Sequence, residues 1–422
     1  MHRYDLRRVR KTVVVTFAGR SGSFLLQNLL DYHSQVLSHP SECLNKLPHY
    51  IYDLFVNNES KALLNENKEP FAALALSADE IASFVRQITE IVPEIFTDLL
   101  QNDDPLAKLF TDSNRAAWGY SHEFDHLGDT HEDLSFNEKV EKMGVDREVF
   151  IRIAQEILGE HMASYQILLP SDVFSLIIFS YNLAKNNRSF PVDPVIVWQK
   201  HLCVWEHEIP RVEATVPNPL YITTVRCPHE ALDSHLAHYV RLGDKNPFNP
   251  FKTKAEAYYW LVNNFVQSIR TKPLQGPQYG IRFEDMHRKT ESVMAEVCQL
   301  AGISWEPILG STTLNGEVME FTTYRNHKKV VLTGVNKDLK PRAAFETLSS
   351  DDILLLKILF ARFYKQYDYE IKRPLKRPNM ANCIIGIGGF SNERDGILTA
   401  EFPEFIKGIS FNLSEVPKSK AA

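Results

Sequence analysis

Basic excess is missing from this sequence: 47 lysines and arginines face 53 aspartates and glutamates, a formal net charge of −6. A general binder of nucleic acid or of an acidic membrane surface carries the opposite balance. Neither partner is expected, so any anion must be met by locally gathered Arg, Lys and backbone N–H groups. Cysteine is scarce and scattered, at positions 43, 203, 227, 298 and 383. No CxxC pair occurs, which argues against a zinc ribbon or a disulfide framework and fits a reducing compartment. No apolar run approaches the ~18 residues that a membrane helix needs. Val13-Val14-Val15, behind the basic opening, is too short for the apolar core of a signal peptide. The expectation is a cytoplasmic protein. Internal repeats and low-complexity tracts are absent as well.

What is present has an ordinary globular balance, 44% hydrophobic and 24% charged, enough to bury a sizeable core. Thr12 to Phe17 is β-branched and aromatic without polar alternation, the pattern of a strand buried on both faces of a parallel sheet. Phe24 to Tyr32 follows, with Leu25, Leu26, Leu29 and Leu30 at helical spacing. From about Glu42 to Asn187 amphipathic helices dominate. Among them are Ala78 to Leu100, and Arg147 to Phe179 with a cap and restart at Pro170-Ser171-Asp172. Strands resume at Pro194 to Trp198, Leu220 to Val225 and Tyr279 to Phe283, followed by helices at Glu291 to Ala301 and Ser350 to Tyr367. Cys383 to Gly389 reads as an edge strand or hairpin. Strands separated by helices predict an α/β fold, a central parallel sheet flanked by helices. Residues 1–422 read as one domain, with a large helical insertion at 42–190 and a C-terminal extension at 370–422.

Ala18-Gly19-Arg20-Ser21-Gly22-Ser23 stands between the first strand and the first helix. Backbone N–H groups and the positive end of a helix dipole favour a phosphate at such a place. Gly19 and Gly22 let the backbone approach an anion, Ser21 and Ser23 add hydroxyls, and Arg20 supplies a forked positive charge. A plain strand-to-helix turn uses the same residue types, so the loop alone does not decide. The Walker pattern needs Gly-Lys-Ser/Thr at its end. Here Gly22 is followed by Ser23-Phe24, and the missing lysine turns the reading away from ATP and GTP.

With its surroundings, Thr16 to His33 resembles the 5′-phosphosulfate-binding loop of sulfotransferases, most of all the bacterial and protein-tyrosine members that read Arg-Ser-Gly-Ser/Thr-Thr. Phe24 stands where the family has a second hydroxyl, leaving its backbone N–H as the contact. A second segment fits: Arg226-Cys227-Pro228, with Ser234 eight residues after the arginine, is similar to the family's 3′-phosphate-binding segment. A third is Phe283-Glu284-Asp285, which looks like the Tyr-Glu-Asp strand end whose aromatic ring lies near the nucleotide. The resemblance covers residues 12–43 and 194–305. It implies a P-loop sulfotransferase fold, 3′-phosphoadenosine 5′-phosphosulfate (PAPS) as co-substrate, no metal requirement, and a hydroxyl or amine of a small-molecule acceptor. The 42–190 insertion is expected to shape the acceptor pocket.

Sulfuryl transfer needs in-line positioning, stabilised charge and a general base. By the same resemblance Arg20 steadies the leaving phosphate. In Trp198-Gln199-Lys200-His201-Leu202, His201 is the candidate base and Lys200 a second cation at the sulfuryl group. The Lys-to-His spacing is one residue shorter than in cytosolic sulfotransferases, so a polar strand end remains an equal reading. Glu42 ranks second as base, by analogy with protein-tyrosine sulfotransferases, and His39 third. The stretch His122 to His131 fits no metal-ligand spacing and reads as a solvated loop. Arg325, His327, Lys328 and Lys329 form a basic run, a solvated face or a cover for the donor's 3′ side. Two alternatives stay open: a P-loop kinase of small molecules, and a catalytically inactive nucleotide-binding scaffold of the same fold.

Overall fold

Five strands build the centre of the molecule: β1 (Lys11–Phe17), β2 (Val36–Ser38), β3 (Val195–Gln199), β4 (Pro219–Val225) and β5 (Gln278–Arg282). They lie in the order β2-β3-β1-β4-β5, every pair parallel. The computed structural model describes residues 4–17, 21–39, 44, 46–58, 62–63, 73–98, 143–185, 190–200, 208–242, 251–269, 277–318, 320–325, 328–341, 344–369 and 383–384. The helices between the strands are α1 (Ser23–Leu30), α2 (Leu47–Asn57), α3 (Ala78–Ile91), α4 (Arg147–Tyr165), α5 (Pro170–Lys185) and α6 (Ile209–Thr215). They continue with α7 (Pro228–Leu242), α8 (Lys254–Ile269), α9 (Phe283–Arg288), α10 (Thr290–Ala301), α11 (Ser350–Leu359) and α12 (Ala361–Gln366).

Alternation along each strand decides which layer it contacts. Val13, Val15, Val36, Val195, Val197, Leu220 and Ile222 face α1 and α10, packing on Leu25, Leu26, Leu29, Val293 and Val297. Val14, Leu37, Ile196, Trp198 and Tyr221 face the other way, onto α2, α4 and α5. Each fully buried side chain of this kind stabilises by about 1.5–3 kcal/mol. The helices that read as an insertion between residues 42 and 190 therefore form the cover of a whole sheet face. A third cluster joins Val225 and Cys227 to α7, α8, α11 and α12.

Two contacts seat the C-terminal helices. Gly280 of β5 has no side chain, and a Cβ there would run into the Tyr367 ring, so the tyrosine lies directly on the strand. Asp233 of α7 is buried and accepts from the backbone N–H groups of Glu346, Thr347 and Leu348 at 3.2, 2.8 and 3.1 Å, and from Thr347 Oγ1 at 2.8 Å. Those bonds hold its carboxyl below the usual range although burial opposes them.

Several boundaries differ from the sequence reading for local reasons. The edge strand Val36–Ser38 has only three residues and gives no periodic signal. Helix α3 stops at Ile91 instead of Leu100 because Pro93 follows Val92. Helix α5 runs on to Lys185. The helix expected over 350–367 is two, divided at Phe360. β5 ends at Arg282, so Phe283 opens a helix instead of closing a strand. Of the Cys383–Gly389 segment, residues 385–389 lie outside the described residues.

Candidate active site

The strand order creates the crevice. β1 and β4 are neighbours, with Phe17 beside Thr224. The chain leaving β1 travels through α1 to the β2 side, whereas the chain leaving β4 travels through α7 and α8 to the β5 side. Connections that diverge from adjacent parallel strands leave a cleft at the strands' carboxyl ends, where ligands bind in open α/β sheets.

Gly22 sits at the lip of that cleft, at φ +87°, a left-handed conformation that glycine adopts without a Cβ clash. It caps α1, and the first intrahelical bond runs from Leu26 N–H to the Gly22 carbonyl. The N–H groups of Ser23, Phe24 and Leu25 precede that bond and have no acceptor within the helix. The two serines are less available than their sequence suggests. Ser21 is fully buried, and its hydroxyl donates to the Thr224 carbonyl at 2.6 Å, stitching the loop to β4. Ser23 Oγ accepts from the Gln199 amide at 3.1 Å, joining α1 to β3. Gly19 and Arg20 lie outside the described residues.

Phe283 joins the loop to the second anchor. A Cβ on Gly22 would stand 2.5 Å from Phe283 Cδ2, so the ring rests against the glycine. The Arg226 guanidinium lies over the same ring, 4.8 Å from its centroid. Arg226 also faces Glu230 one turn into α7, Nη2 to Oε2 at 3.6 Å. The neighbouring Glu284 is buried and accepts from Cys227 N–H at 3.1 Å and from the Tyr369 hydroxyl at 2.9 Å. This acidic residue thereby fixes the turn that carries Arg226. Ser234 is half-buried two turns into α7. The structure thus brings Gly22, Phe283 and Arg226 into one contact chain, which spacing alone left unproven.

Cys227, His229 and Glu230 bring possible ligand atoms within 4.8 Å of one another. Each is already engaged. His229 Nδ1 meets the Tyr364 hydroxyl and lies 3.3 Å from Cys227 Sγ, and Glu230 faces Arg226. Burial pushes the Cys227 thiol up to about 12 and the His229 imidazole down to about 4. Cys227 and His229 form a neutral polar brace beneath the Arg226 turn.

The catalytic candidates divide differently. Lys200 is 5% exposed, and its Nζ is 2.9 Å from Glu208 Oε1, with His49 Nε2 3.5 Å from the same oxygen. Its charge is committed to that pair. His39 is buried against the Tyr181 ring, centroids 4.6 Å apart. His201 and Glu42 lie outside the described residues, as does the His122 to His131 stretch. Arg325 and Lys328 are paired across the end of a two-stranded ribbon, Glu320–Arg325 with Lys328–Thr333, where Lys329 pairs with Tyr324; His327 is outside the described residues. Sequence reasoning missed Thr224, Gln199 and His287. His287 follows the Phe283-Glu284-Asp285 motif by two residues, and nothing local marked it.

A parallel sheet covered by helices, with a glycine-capped helix start and a ring-stacked arginine facing one cleft, defines the class of the molecule as an α/β protein. The profile of the Sulfotransferase family matches residues 12–307, and the chain belongs to that family. No curated protein sequence matches it. Solved structures similar in part include the sulfotransferase domain of the curacin biosynthetic pathway, at 15% identity over 71% of this chain and 77% of that one, TM-score 0.32. Others are the sulfotransferase domain of the Synechococcus olefin synthase, at 13% identity over 71% and 76%, TM-score 0.31, and a Mycobacterium avium sulfotransferase, at 13% over 72% and 66%, TM-score 0.31. Among the described residues no helix is long and apolar enough to cross a membrane.

Proposed function

We propose that this chain transfers the sulfuryl group of PAPS to a hydroxyl or amine of a small-molecule acceptor. The observation that carries the reading is the Phe283 ring, in contact with Gly22 on one side and Arg226 on the other. It ties the helix start that suits a 5′-phosphosulfate to the arginine that suits a 3′-phosphate. The N–H groups of Ser23, Phe24 and Leu25 receive the 5′ end, together with Gly19 and Arg20 of the loop. Arg226 and Ser234 receive the 3′-phosphate. The acceptor oxygen or nitrogen forms its bond to sulfur in line with the departing phosphate oxygen. That oxygen leaves with the electron pair of the broken S–O bond, and the acceptor's proton passes to a base. His201, Glu42 and His39 are the candidate bases, in that order. The donor set is cationic and peptide-based, so the transfer makes no call on a metal. Helices α2 to α5, which cover the face beside β2 and β3, wall the acceptor.

The test is calorimetry with 3′,5′-adenosine bisphosphate and, separately, ATP with Mg²⁺, followed by labelled-sulfate transfer to phenols, alcohols, sugars and amines. Binding of the bisphosphate with transfer to one acceptor class is expected. ATP binding without bisphosphate binding sinks the proposal in favour of a kinase. Bisphosphate binding with no transfer across a broad panel favours an inactive scaffold.

A further inference from the structure

Phe283 is edged by a third side chain. His287, one turn further along α9, sets its imidazole edge-on to Phe283, with ring centroids 4.6 Å apart at 84°. Its Nδ1 accepts the backbone N–H of Asn336 at 2.9 Å, which puts the proton of the neutral ring on Nε2. Burial, reinforced by the Arg226 charge, lowers the imidazolium pKa to about 4, so the ring is neutral near pH 7. The partner is firmly placed. Asp338 N–H donates to Asn336 Oδ1 at 3.1 Å, and Arg288 Nε donates to the Leu339 carbonyl at 2.8 Å, strapping this loop to α9.

His287 is only 8% exposed, yet its Nε2–H meets no acceptor among the described residues. A neutral N–H donor fixed in this tautomer beside an arginine answers best to an anionic oxygen. Arg226 and His287 both contact the Phe283 ring, and the Arg226 charge bears on the imidazole, so one phosphate beside Arg226 stands in the neighbourhood of Nε2–H. A neutral imidazole suits this place, because a second full cation would repel Arg226 whenever the site stands empty.

We propose that His287 is a further ligand of the donor nucleotide, its Nε2–H bonding the 3′-phosphate beside Arg226. This rests on the PAPS reading above. The experiment compares 3′,5′-adenosine bisphosphate with adenosine 5′-monophosphate, which lacks the 3′-phosphate, by calorimetry on the parent, His287→Phe and His287→Gln. His287→Phe keeps a ring against Phe283 but loses the donor, and should lose about tenfold or more in bisphosphate affinity. Its affinity for the monophosphate should not change. His287→Gln retains an N–H donor and should retain most of the bisphosphate affinity. Unchanged bisphosphate binding by His287→Phe overturns the inference, and so does an equal loss for both nucleotides, which would mark the ring as a prop for Phe283. Failure of the parent to bind the bisphosphate refutes the PAPS reading instead. If His287→Phe does not fold, ¹⁵N-histidine spectra of the parent decide. The His287 Nε2 signal should move with the bisphosphate and stay put with the monophosphate; an unmoved signal overturns the assignment.

Discussion

Replacing Glu94 by glutamine should stabilise the protein above neutral pH and leave it unchanged near pH 4.5. Glu94 lies in the short turn Pro93–Ile95 after α3, 3% exposed, with no hydrogen-bond partner for Oε2. Burial raises its pKa from 4.5 to about 7, against a smaller pull from the Lys46 charge. An acid whose folded pKa is raised carries no penalty while both states are protonated. The penalty grows as pH climbs from 4.5 to about 7 and is constant above. At about 1.4 kcal/mol per pH unit, this interval corresponds to about 3 kcal/mol of stability lost by the parent. Glutamine imitates the protonated acid in shape and cannot ionise. Urea unfolding at pH 5 and pH 8 should therefore show a gap between variant and parent that opens by about 2–3 kcal/mol. Lys46→Met should widen the parent's loss, because it removes the charge that favours the carboxylate. Parallel stability curves for Glu94→Gln and parent across this range would refute the reasoning.

Three further outcomes follow from the site. Gly22→Ala forces a left-handed alanine, costing about 1–2 kcal/mol before its methyl meets Phe283; urea midpoints should fall with bisphosphate affinity, and no change in either would refute the contact. Lys200→Met removes the cation closest to the buried Glu208 carboxylate and should cost about 3–5 kcal/mol, most of it recovered in Lys200→Met with Glu208→Leu. If Lys200→Met instead melts like the parent while transfer collapses, the lysine acts at the sulfuryl group after all. Arg226→Ala should weaken the bisphosphate by about tenfold or more while sparing the monophosphate, because a charged hydrogen bond to the 3′-phosphate is lost; calorimetry reads the difference, and an equal loss on both nucleotides contradicts the 3′ assignment.

How legible all this was depends on the range of the forces involved. β1 and β4 were visible because Val13-Val14-Val15 and Leu220 to Val225 are runs of residues that only a doubly covered strand buries. The helix start at Gly22 was visible because conformation and chemistry coincide within a few residues. By contrast, Ser21 looked like a phosphate donor until its hydroxyl was found on Thr224, 203 positions away. Lys200 looked like a free cation until Glu208 was found against it. His287 gave no signal because its tautomer is set by a backbone N–H 49 residues on. Local composition says what a residue can do; only the fold says which partner takes up that capacity.

The clamp on Asp233 bears on where this molecule can be cut. The family profile ends at residue 307, whereas Asp233, next to Ser234 on α7, is bonded from residues 346 to 348. A fragment trimmed to the profile would take away the bonds that residues 346 to 348 make to the buried Asp233 carboxylate and would strip α11 and α12 from Val225 and Cys227. Expression and fusion boundaries should therefore fall beyond Tyr369, whose hydroxyl also braces the Arg226 turn through Glu284. The segment after the shared profile is thus a keystone of this fold, seating α7 and the Arg226 turn from outside the region that the profile covers.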